Sequence, residues 1–373
     1  SSDSLILIFV GLETSSLSIY TMIAMHNRMV SVEAAVKYFT MGALAAAFFV
    51  FGAMIFYAIT GTVELAQMAQ VLTEDGFLTV ENYANYILVL LGFVFMFAAI
   101  GFKLSLFPYH TWVPDVYQGS TSAMAGFLSV VPKMAGFVVA LRFFEIFMQV
   151  NDVIIQTMLY VTVVLTITIP NLIALQQKDI KRMLSYSSIS NAGMAMAAIV
   201  IGTQQAINGL FLYWILFTVT NLGAFGMLWL NRGKEFNDYG SPYTFKKFSG
   251  LAQISPFTAS IFGIFLFALT GLPPFALFWG KMLLITSAVN AGHIALAIIM
   301  VLNSAIAAYY YLRPVSYMFL RNPEDETNTK FMQNATTPVK AVVGFIVFLT
   351  IVSILFIDPL LNIISQYVSS SGY

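Results

Sequence analysis

Long apolar runs, separated by short polar connections, make up most of this chain of 373 residues. A helix needs about 20 consecutive apolar residues to cross the hydrocarbon core of a bilayer, and many of these runs reach that length. Hydrophobic residues form 59% of the sequence and charged residues only 9%, whereas soluble domains carry about 25% charged residues. We therefore expect an all-α polytopic membrane protein that lies in the lipid bilayer.

Ten crossings are predicted from the positions of the apolar runs. They lie near residues 4–24, 32–60, 85–104, 121–147, 153–174, 182–202, 205–231, 254–289, 294–320 and 341–364. An even number of crossings places the two ends of the chain on the same side of the membrane.

The basic residues predict the orientation, because they lie in alternate connections. One set of connections holds Arg28, Lys178, Lys181, Arg182, Arg232, Lys234, Lys246, Lys247, Arg321, Lys330 and Lys340. The opposite connections, near residues 61–84, 148–152, 203–204 and 290–293, hold no lysine or arginine. Lysine and arginine are in excess on the cytoplasmic side of membrane proteins. The basic connections are therefore expected to be cytoplasmic, with the first residue and the tail after Asp358 on the outer side.

Two of the predicted crossings are interrupted by glycine and proline. The first interruption lies in residues 101–110, which include Pro108, and the second lies in residues 269–275, which include Pro273 and Pro274. Proline removes a backbone donor and clashes with the preceding turn of a helix, so each interruption predicts a discontinuous helix. In transporters, broken helices in two inverted halves mark an ion site near the middle of the membrane.

Five charged residues lie inside the apolar runs, where a charge is costly. They are Glu13, Lys37, Lys103, Lys133 and Lys281. A charge at the bilayer centre costs about 2.5 to 3.5 kcal/mol on insertion scales, so such residues face the protein interior or water and usually mark ion pathways. A buried lysine without a carboxylate partner also releases its proton more readily than a solvated one. These five residues are candidates for proton transfer.

Glu13 requires a cationic partner, and Lys37 in the next helix is the obvious candidate. Lys37 has two other interpretations: its side chain reaches the cytoplasmic surface, or it pairs with Glu33 one turn earlier in the same helix. A purely structural ion pair between helices is the alternative for Glu13. A structural role is also the alternative for Lys103, Lys133 and Lys281.

His110 is a further candidate, because histidine titrates near neutral pH and can relay protons. It follows Pro108, where a cavity and the headgroup level of the membrane are both possible positions. His26 and His293 lie in short connections and are interpreted as solvated surface residues. Residues 178–182 are interpreted as a patch that sets topology rather than as a site.

Several classes of function are excluded by what the sequence lacks. There is no cysteine, so the chain forms no disulfide, thiolate metal site or cysteine-ligated iron–sulfur cluster. The formal net charge of zero argues against nucleic acid as a partner, since such proteins carry a basic surface. The chain also has no Walker loop, dinucleotide-binding glycine motif, zinc spacing or catalytic triad. Any redox chemistry is expected in other chains.

Three segments carry distinctive motifs: residues 101–119 (GFKLSLFPYHTWVPDVYQG), 178–190 (KDIKRMLSYSSIS) and 271–281 (GLPPFALFWGK). They resemble the antiporter-like membrane subunits of respiratory complex I, the NADH-quinone oxidoreductase, and the likeness covers nearly the whole chain. Subunit N is the best fit. Lys133 stands where the related subunits and cation antiporters have a histidine, and no long lateral helix follows the last span.

The resemblance implies two inverted five-helix repeats, each with one discontinuous helix. Residues 1–147 are expected to hold the remaining helices of the first repeat, residues 153–320 the second repeat, and residues 341–364 a C-terminal transmembrane helix. The first four helices of the family pattern are missing, and the chain begins with Ser1 rather than methionine. We therefore expect a fragment without its amino-terminal part, in which the first repeat is incomplete.

The resemblance also implies roles for the charged residues. Glu13 resembles the glutamate that gates proton transfer, with Lys37 and Lys103 beside it in the first half-channel. Lys133 resembles the central connecting lysine, and Lys281 resembles the residue of the exit half-channel.

The expected function is proton translocation in the membrane arm of NADH-quinone oxidoreductase, a translocase of the bacterial cytoplasmic membrane. The chain itself would bind no cofactor or soluble substrate. Flavin, iron–sulfur clusters and quinone would belong to partner subunits, and the other membrane-arm subunits would be its partners. Asn191 stands where many relatives have a histidine, which puts a titrating role at that position in doubt. Two alternatives stay open: a stand-alone cation/proton antiporter, and a structural membrane anchor whose lysines only pin helices.

Overall fold

The computed structural model describes residues 3–26, 28–73, 83–150, 152–230, 243–324 and 336–370. Within these ranges the chain consists of helices joined by short turns, and it forms no β-strand. The predicted all-α class is confirmed. Three residues of the basic connections, Arg232, Lys234 and Lys330, lie outside the described ranges.

The helices of the described ranges follow the apolar runs closely. In chain order they are α1 (Leu5–Ala24), α2 (Met29–Thr60), α3 (Leu65–Thr73), α4 (Tyr83–Leu104), α5 (Trp112–Gly119), α6 (Ser122–Val150), α7 (Val153–Gln176), α8 (Ile180–Ile201), α9 (Gln204–Leu230), α10 (Leu251–Ile254), α11 (Pro256–Thr270), α12 (Leu277–Asn290), α13 (Ile294–Leu320), α14 (Thr337–Val352) and α15 (Ile357–Ser370). Two short 3-10 helices, Phe245–Phe248 and Ser353–Phe356, complete them.

Nine helical segments of the described chain are long and apolar enough to cross a membrane. They are α1, α2, α4, α6, α7, α8, α9, α13 and the segment formed by α14, a 3-10 turn and α15. A tenth crossing is made of two shorter helices, α11 and α12, which together span the predicted run at 254–289. The prediction of about ten crossings is confirmed. The last segment ends at Ser370 rather than near residue 364.

Both predicted interruptions are breaks between helices. α4 ends at Leu104 and α5 begins at Trp112, while α11 ends at Thr270 and α12 begins at Leu277. Left-handed backbone follows the end of each first half, with φ of 62° at Ser105 and 72° at Gly271, and this conformation terminates a helix. Proline alone does not predict a break, because the described helices also contain Pro132, Pro170 and Pro314 in continuous turns.

Two short helices, α3 and α5, were missed by the sequence prediction. α3 buries Leu65, Met68 and Leu72, which lie on one face of a helix, and it packs against α2 and α6. α5 is the second half of the first broken crossing. Neither contains an apolar run long enough to be recognised from hydropathy.

Helix α8 lies at the centre of the bundle, and nearly all of its side chains are buried. It contacts α5, α6, α7, α9, α12 and α13. A Cβ at Gly193 would lie 2.9 Å from Thr166 and 3.0 Å from Ile167 of α7, so the small residues of α8 let its neighbours approach closely. α1 and α14 lie at the periphery and expose large apolar side chains such as Leu7 and Phe345.

Replacing Gly223 with alanine is expected to destabilise the packing of α9 against α11. The added Cβ would lie 2.1 to 2.6 Å from three atoms of the Phe265 ring, which is fully buried and has no room to move. Overpacking of this kind costs about 1 to 3 kcal/mol. The thermal unfolding midpoint of the purified protein should fall in Gly223→Ala. Gly344→Ala in α14 is the matched control, because its Cβ would meet no atom of another described part of the chain within 4 Å. Equal losses in both variants would contradict the packing account.

Candidate functional site

Glu13 and Lys103 form an ion pair between α1 and α4. Nζ of Lys103, in the last turn of α4, lies 3.3 Å from Oε1 of Glu13 and also donates a hydrogen bond to the hydroxyl of Ser16. The Lys103 side chain is only 12% exposed and the Glu13 side chain only 21%. A cavity of about 10 Å³ beside them is close to the smallest volume that holds one water molecule. The structure therefore brings together two of the charges that the sequence places inside the membrane.

Lys37 is not the partner of Glu13, and that expectation was wrong. Its Nζ lies 2.7 Å from Glu33 Oε1 and 3.3 Å from Asp115 Oδ2, and its side chain is 46% exposed. The alternative interpretation, an ion pair with Glu33 one turn earlier, is the one found. Lys103 satisfies Glu13 in its place.

Lys133 is fully enclosed by the helix bundle, with 1% of its surface exposed. Its Nζ donates hydrogen bonds to the Ser188 carbonyl at 3.0 Å and to the Ser188 hydroxyl at 3.1 Å. The Ser188 hydroxyl in turn donates to the Ser129 carbonyl. No described carboxylate lies within ion-pair distance of this amine, so neutral oxygen atoms alone stabilise its charge.

Lys281 folds back from α12 onto the end of α11. Its Nζ donates a hydrogen bond of 2.9 Å to the Thr270 carbonyl, one of the carbonyls that a helix end leaves unpaired and that carry partial negative charge. A Cβ at Gly271 would lie 2.6 to 2.8 Å from the Lys281 side chain. Glycine at this position therefore has two roles. It adopts the left-handed backbone conformation, and it leaves room for the Lys281 side chain to approach the break.

His110 lies in the first break and is buried, with 7% of its surface exposed. Its ring stacks on Phe107 with a centroid distance of 5.5 Å, and its Nδ1 has no hydrogen-bond partner among the described residues. His110 is also close enough to Lys133 for their charges to interact. The other described histidines, His26 and His293, are exposed and half-buried.

A buried polar network lies on α8, α9 and α13, beside the serine that holds Lys133. Asn191 donates to the Ser187 carbonyl at 2.8 Å and to the Tyr311 hydroxyl at 3.2 Å, and it accepts a hydrogen bond from the Tyr213 hydroxyl. Ser187 adjoins Ser188 in α8, which contacts Lys133. On the far side, a Cβ at Gly280, the residue before Lys281, would lie 2.8 Å from Tyr213 Cα. Hydroxyl, amide and carbonyl groups thus lead from the central lysine toward α12.

Two functional candidates were not recognised from the sequence. Lys181 is 3% exposed and donates hydrogen bonds to the carbonyls of Gln118 and Ser120, although it was predicted to belong to a topogenic patch. Arg182 donates to Asp115 Oδ1 at 3.0 Å and to Gln118 Oε1 at 2.7 Å. The only indication of these contacts in the sequence was the motif at 101–119, which contains their acceptors, Asp115 and Gln118, after the first interruption.

Metal binding has no support in the part of the chain that the structure describes. Within those residues no three histidine, aspartate or glutamate side chains are grouped so that they could hold a metal ion. The arrangement is suited instead to holding and moving protons, because its titratable groups are enclosed amines, a histidine and one carboxylate.

Known proteins with similar sequences are membrane subunits of respiratory enzymes. Residues 2–307 match the family described as "NADH:quinone oxidoreductase/Mrp antiporter, TM". NADH-quinone oxidoreductase subunit N of Sulfurimonas denitrificans is 54% identical, over 100% of this chain and 74% of that protein. Subunit N of Sulfurovum sp. is 50% identical, with the same shares of the two chains.

Solved structures share the fold. A chain of respiratory complex I from Thermus thermophilus has a TM-score of 0.75 and 31% identity, with 96% of this chain and 75% of that chain covered. A chain of the Mrp complex from Dietzia sp. has a TM-score of 0.82 over 98% of this chain and 74% of its own, but only 19% identity, so it shows the fold alone.

Replacing Glu13 alone is expected to destabilise the protein more than replacing both members of its ion pair. A buried cation left without its anion costs about 3 to 5 kcal/mol, whereas removing both charges is often close to neutral. Thermal unfolding midpoints of Glu13→Gln, Lys103→Gln and the double variant should therefore show the double variant recovering most of the loss.

The half-exposed pair Glu33 and Lys37 provides the control for this cycle. Exposed ion pairs contribute about 1 kcal/mol or less, so Glu33→Gln and Lys37→Gln should show little coupling. Strictly additive losses at Glu13 and Lys103 would contradict the assignment of a buried pair.

Proposed function

Because the chain belongs to the family of NADH-quinone oxidoreductase subunit N, we propose that it carries protons across the membrane through its buried lysines while electrons move in other subunits. It is an antiporter-like membrane subunit of proton-pumping complex I, the respiratory NADH-quinone oxidoreductase. The residues assigned to proton translocation are Glu13, Lys37, Lys103, His110, Lys133 and Lys281.

Lys133 is the observation that carries this proposal. Its amine is enclosed in the bundle and is held by a serine carbonyl and hydroxyl, without a carboxylate among the described residues. A buried ammonium without an anion gives up its proton readily. The serine hydroxyl can accept a hydrogen bond from the ammonium or donate one to the neutral amine. Both protonation states of Lys133 therefore find a partner without rearrangement of the helices.

Separation of the ion pair between Glu13 and Lys103 is the step that starts proton transfer. The carboxylate stabilises the protonated Lys103, so a displacement of Glu13 makes Lys103 release its proton toward His110 and Lys133. Breaking a buried ion pair costs about 3 to 5 kcal/mol, and moving one charge against 100 mV costs about 2.3 kcal/mol. The two energies are of the same size, as the transfer of one proton requires.

From Lys133 the proton moves toward Lys281 past the hydroxyls of Ser188 and Tyr213, which relay protons together with water in the gaps between them. The Asn191 amide does not carry the proton; it accepts the hydrogen bond of Tyr213 and so positions that hydroxyl. Lys281 holds the proton at the Thr270 carbonyl, at the break between α11 and α12. Broken helices line water-filled cavities in transporters, so release to the outer side takes place here.

Lys37 and His110 have supporting roles in this scheme. Lys37 is half exposed and shares Asp115 with Arg182, which suits a residue that takes up protons from the basic side of the membrane. His110 has an Nδ1 without a hydrogen-bond partner among the described residues and lies near Lys133. It is placed to pass a proton between the first break and the centre of the bundle.

The redox chemistry is assigned to partner subunits. The chain has no cysteine, and cysteine thiolates hold nearly all iron–sulfur clusters. We therefore place flavin, iron–sulfur clusters and quinone in other subunits of the complex and assign this chain no cofactor. The other membrane-arm subunits are its protein partners, and the lipid bilayer surrounds the chain.

The proposed location is the bacterial cytoplasmic membrane, with the basic connections in the cytoplasm. The excess of lysine and arginine in alternate connections supports this orientation. We also propose that residues 1–147 belong to the first inverted repeat, residues 153–320 form the second, and residues 341–364 lie in a separate C-terminal crossing. The two broken crossings, one in each half, support this division.

Replacing Lys133 or Lys281 with methionine is expected to block proton translocation in the assembled complex. Methionine fills a similar volume but holds no proton. Loss of a step that contributes more than about 1.4 kcal/mol lowers the rate tenfold or more. Purified complexes in lipid vesicles should therefore show quinone reduction and proton uptake reduced by about tenfold or more, while reduction of a soluble electron acceptor by NADH stays normal.

Lys340→Met is the matched control, because Lys340 is exposed at the start of α14. It should leave quinone reduction and proton uptake unchanged. If Lys133→Met and Lys281→Met also kept both activities, the lysines would be structural anchors and the chain would not be a proton path.

Orientation can be tested with single cysteines, since the natural chain has none. Lys178→Cys, in an exposed basic connection, should react with a membrane-impermeant maleimide only in inside-out vesicles. Gln70→Cys, exposed in α3, should react only in right-side-out vesicles. The reverse pattern would invert the proposed topology.

A further inference from the structure

Side chains of the two neighbouring helices, α2 and α8, hold the end of the half-helix α5. The carbonyls of its last two residues and of its cap residue accept hydrogen bonds from these side chains. Gln118 and Ser120 accept from Lys181 of α8, and Gly119 accepts from Ser31 of α2 at 2.8 Å. Such carbonyls are normally left unpaired or bonded to water, and their partial negative charge favours a cation.

Asp115, one turn before the end of α5, also contacts side chains of both α2 and α8. Its Oδ2 is 3.3 Å from Nζ of Lys37 in α2, and its Oδ1 accepts a hydrogen bond of 3.0 Å from Arg182 of α8. Arg182 also donates to the Gln118 side chain at 2.7 Å. The adjacent residues Lys181 and Arg182 thus hold the half-helix from the α8 side, while Ser31 and Lys37 hold it from the α2 side.

An eight-residue helix such as α5 has little stability of its own. Helices shorter than about 12 residues are marginal in water without tertiary contacts, and α5 also begins at the irregular break after residue 104. Its position is therefore set by tertiary contacts, which are the packing of its buried side chains and the polar groups that hold its end. Lys181 is buried and donates to two carbonyls at the end of α5. These hydrogen bonds stabilise the position of α5 strongly, because hydrogen bonds from charged donors are stronger than neutral ones.

α5 also contacts Ser188, the residue that holds the central lysine. The Tyr117 side chain is fully buried, and its hydroxyl lies next to Ser188 without a hydrogen bond among the described residues. Ser188 is the residue that holds the Lys133 amine. A shift of α5 would therefore move Tyr117 against the group on which proton transfer through Lys133 depends.

We propose that Lys181 and Arg182 are positioning residues: together they clamp half-helix α5 onto α8 and so fix the surroundings of Ser188 and Lys133. Lys181 carries no transferred proton in this account. The inference rests on the proposed function for its effect on pumping, but the clamp itself is a property of the fold.

The test combines hydrogen exchange with proton pumping in the assembled complex. Backbone amide exchange is followed by mass spectrometry in a peptide that covers residues 112–120. In Lys181→Met, loss of the charged donor should accelerate exchange of α5 by about tenfold or more, and proton pumping should fall with it. Lys178→Met, three residues earlier and exposed, is the control and should change neither.

Arg182 supplies a second, independent variant. Arg182→Gln should also accelerate exchange in α5, and the conservative Arg182→Lys should restore part of the protection because it keeps a cation opposite Asp115. If Lys181→Met fails to assemble, the two Arg182 variants still test whether side chains of α8 hold α5 in place. Unchanged exchange of α5 in Lys181→Met or, where that variant does not assemble, in Arg182→Gln would overturn the clamp.

Lys181→Arg separates a clamp from a proton carrier, because arginine stays protonated in proteins. Pumping that follows the protection of α5, either both kept or both lost, supports the clamp. Protection kept with pumping lost would show that Lys181 transfers protons, and protection lost with pumping kept would show that the position of α5 does not matter. A failure of the proposed function is visible separately, as normal pumping in Lys133→Met.

Discussion

The structure depends on one constraint: an amine enclosed between membrane helices must be given an acceptor by the protein, because no water surrounds it. Three buried lysines meet this constraint with different acceptors. Lys103 has a carboxylate, Lys133 has a serine carbonyl and hydroxyl, and Lys281 has the carbonyl at a helix end. Only the first acceptor is an anion, so the charge of each lysine is stabilised in a different way.

The broken helices follow from the same requirement. A continuous helix has its carbonyls occupied, whereas a helix end leaves several free, and two lysines use them. Lys281 bonds to the end of α11, at the second break, and Lys181 bonds to the far end of the half-helix α5. Dividing a crossing into shorter helices therefore creates acceptors for cations. Helix α8, rich in serine and alanine, packs against both α5 and α6, the helix of Lys133.

The sequence predicted the parts that follow from composition along the chain. The crossings followed from apolar runs, and the two breaks followed from glycine and proline near lysine. The pairing of charges did not follow, because Lys37 and Lys103 are both reasonable partners for Glu13 and only the packing of α1 against α4 distinguishes them. Lys181 was misread for a similar reason: its neighbours Lys178 and Arg182 suggest a surface patch, yet the Lys181 side chain is buried and donates to carbonyls at the end of α5. The short helices α3 and α5 were missed, since burial of a few side chains leaves no long apolar signal.

The central claim is that the buried lysines exchange protons rather than merely supply positive charge. Replacing Lys133 with arginine separates these two properties, because arginine keeps the charge and the hydrogen-bond donors but does not release its proton. The decisive measurement is the number of protons translocated per NADH oxidised by the purified Lys133→Arg complex in vesicles, with correct assembly verified by its subunit content. Our account predicts a lower ratio or stalled turnover, and a ratio and rate equal to those of the unaltered complex would contradict it.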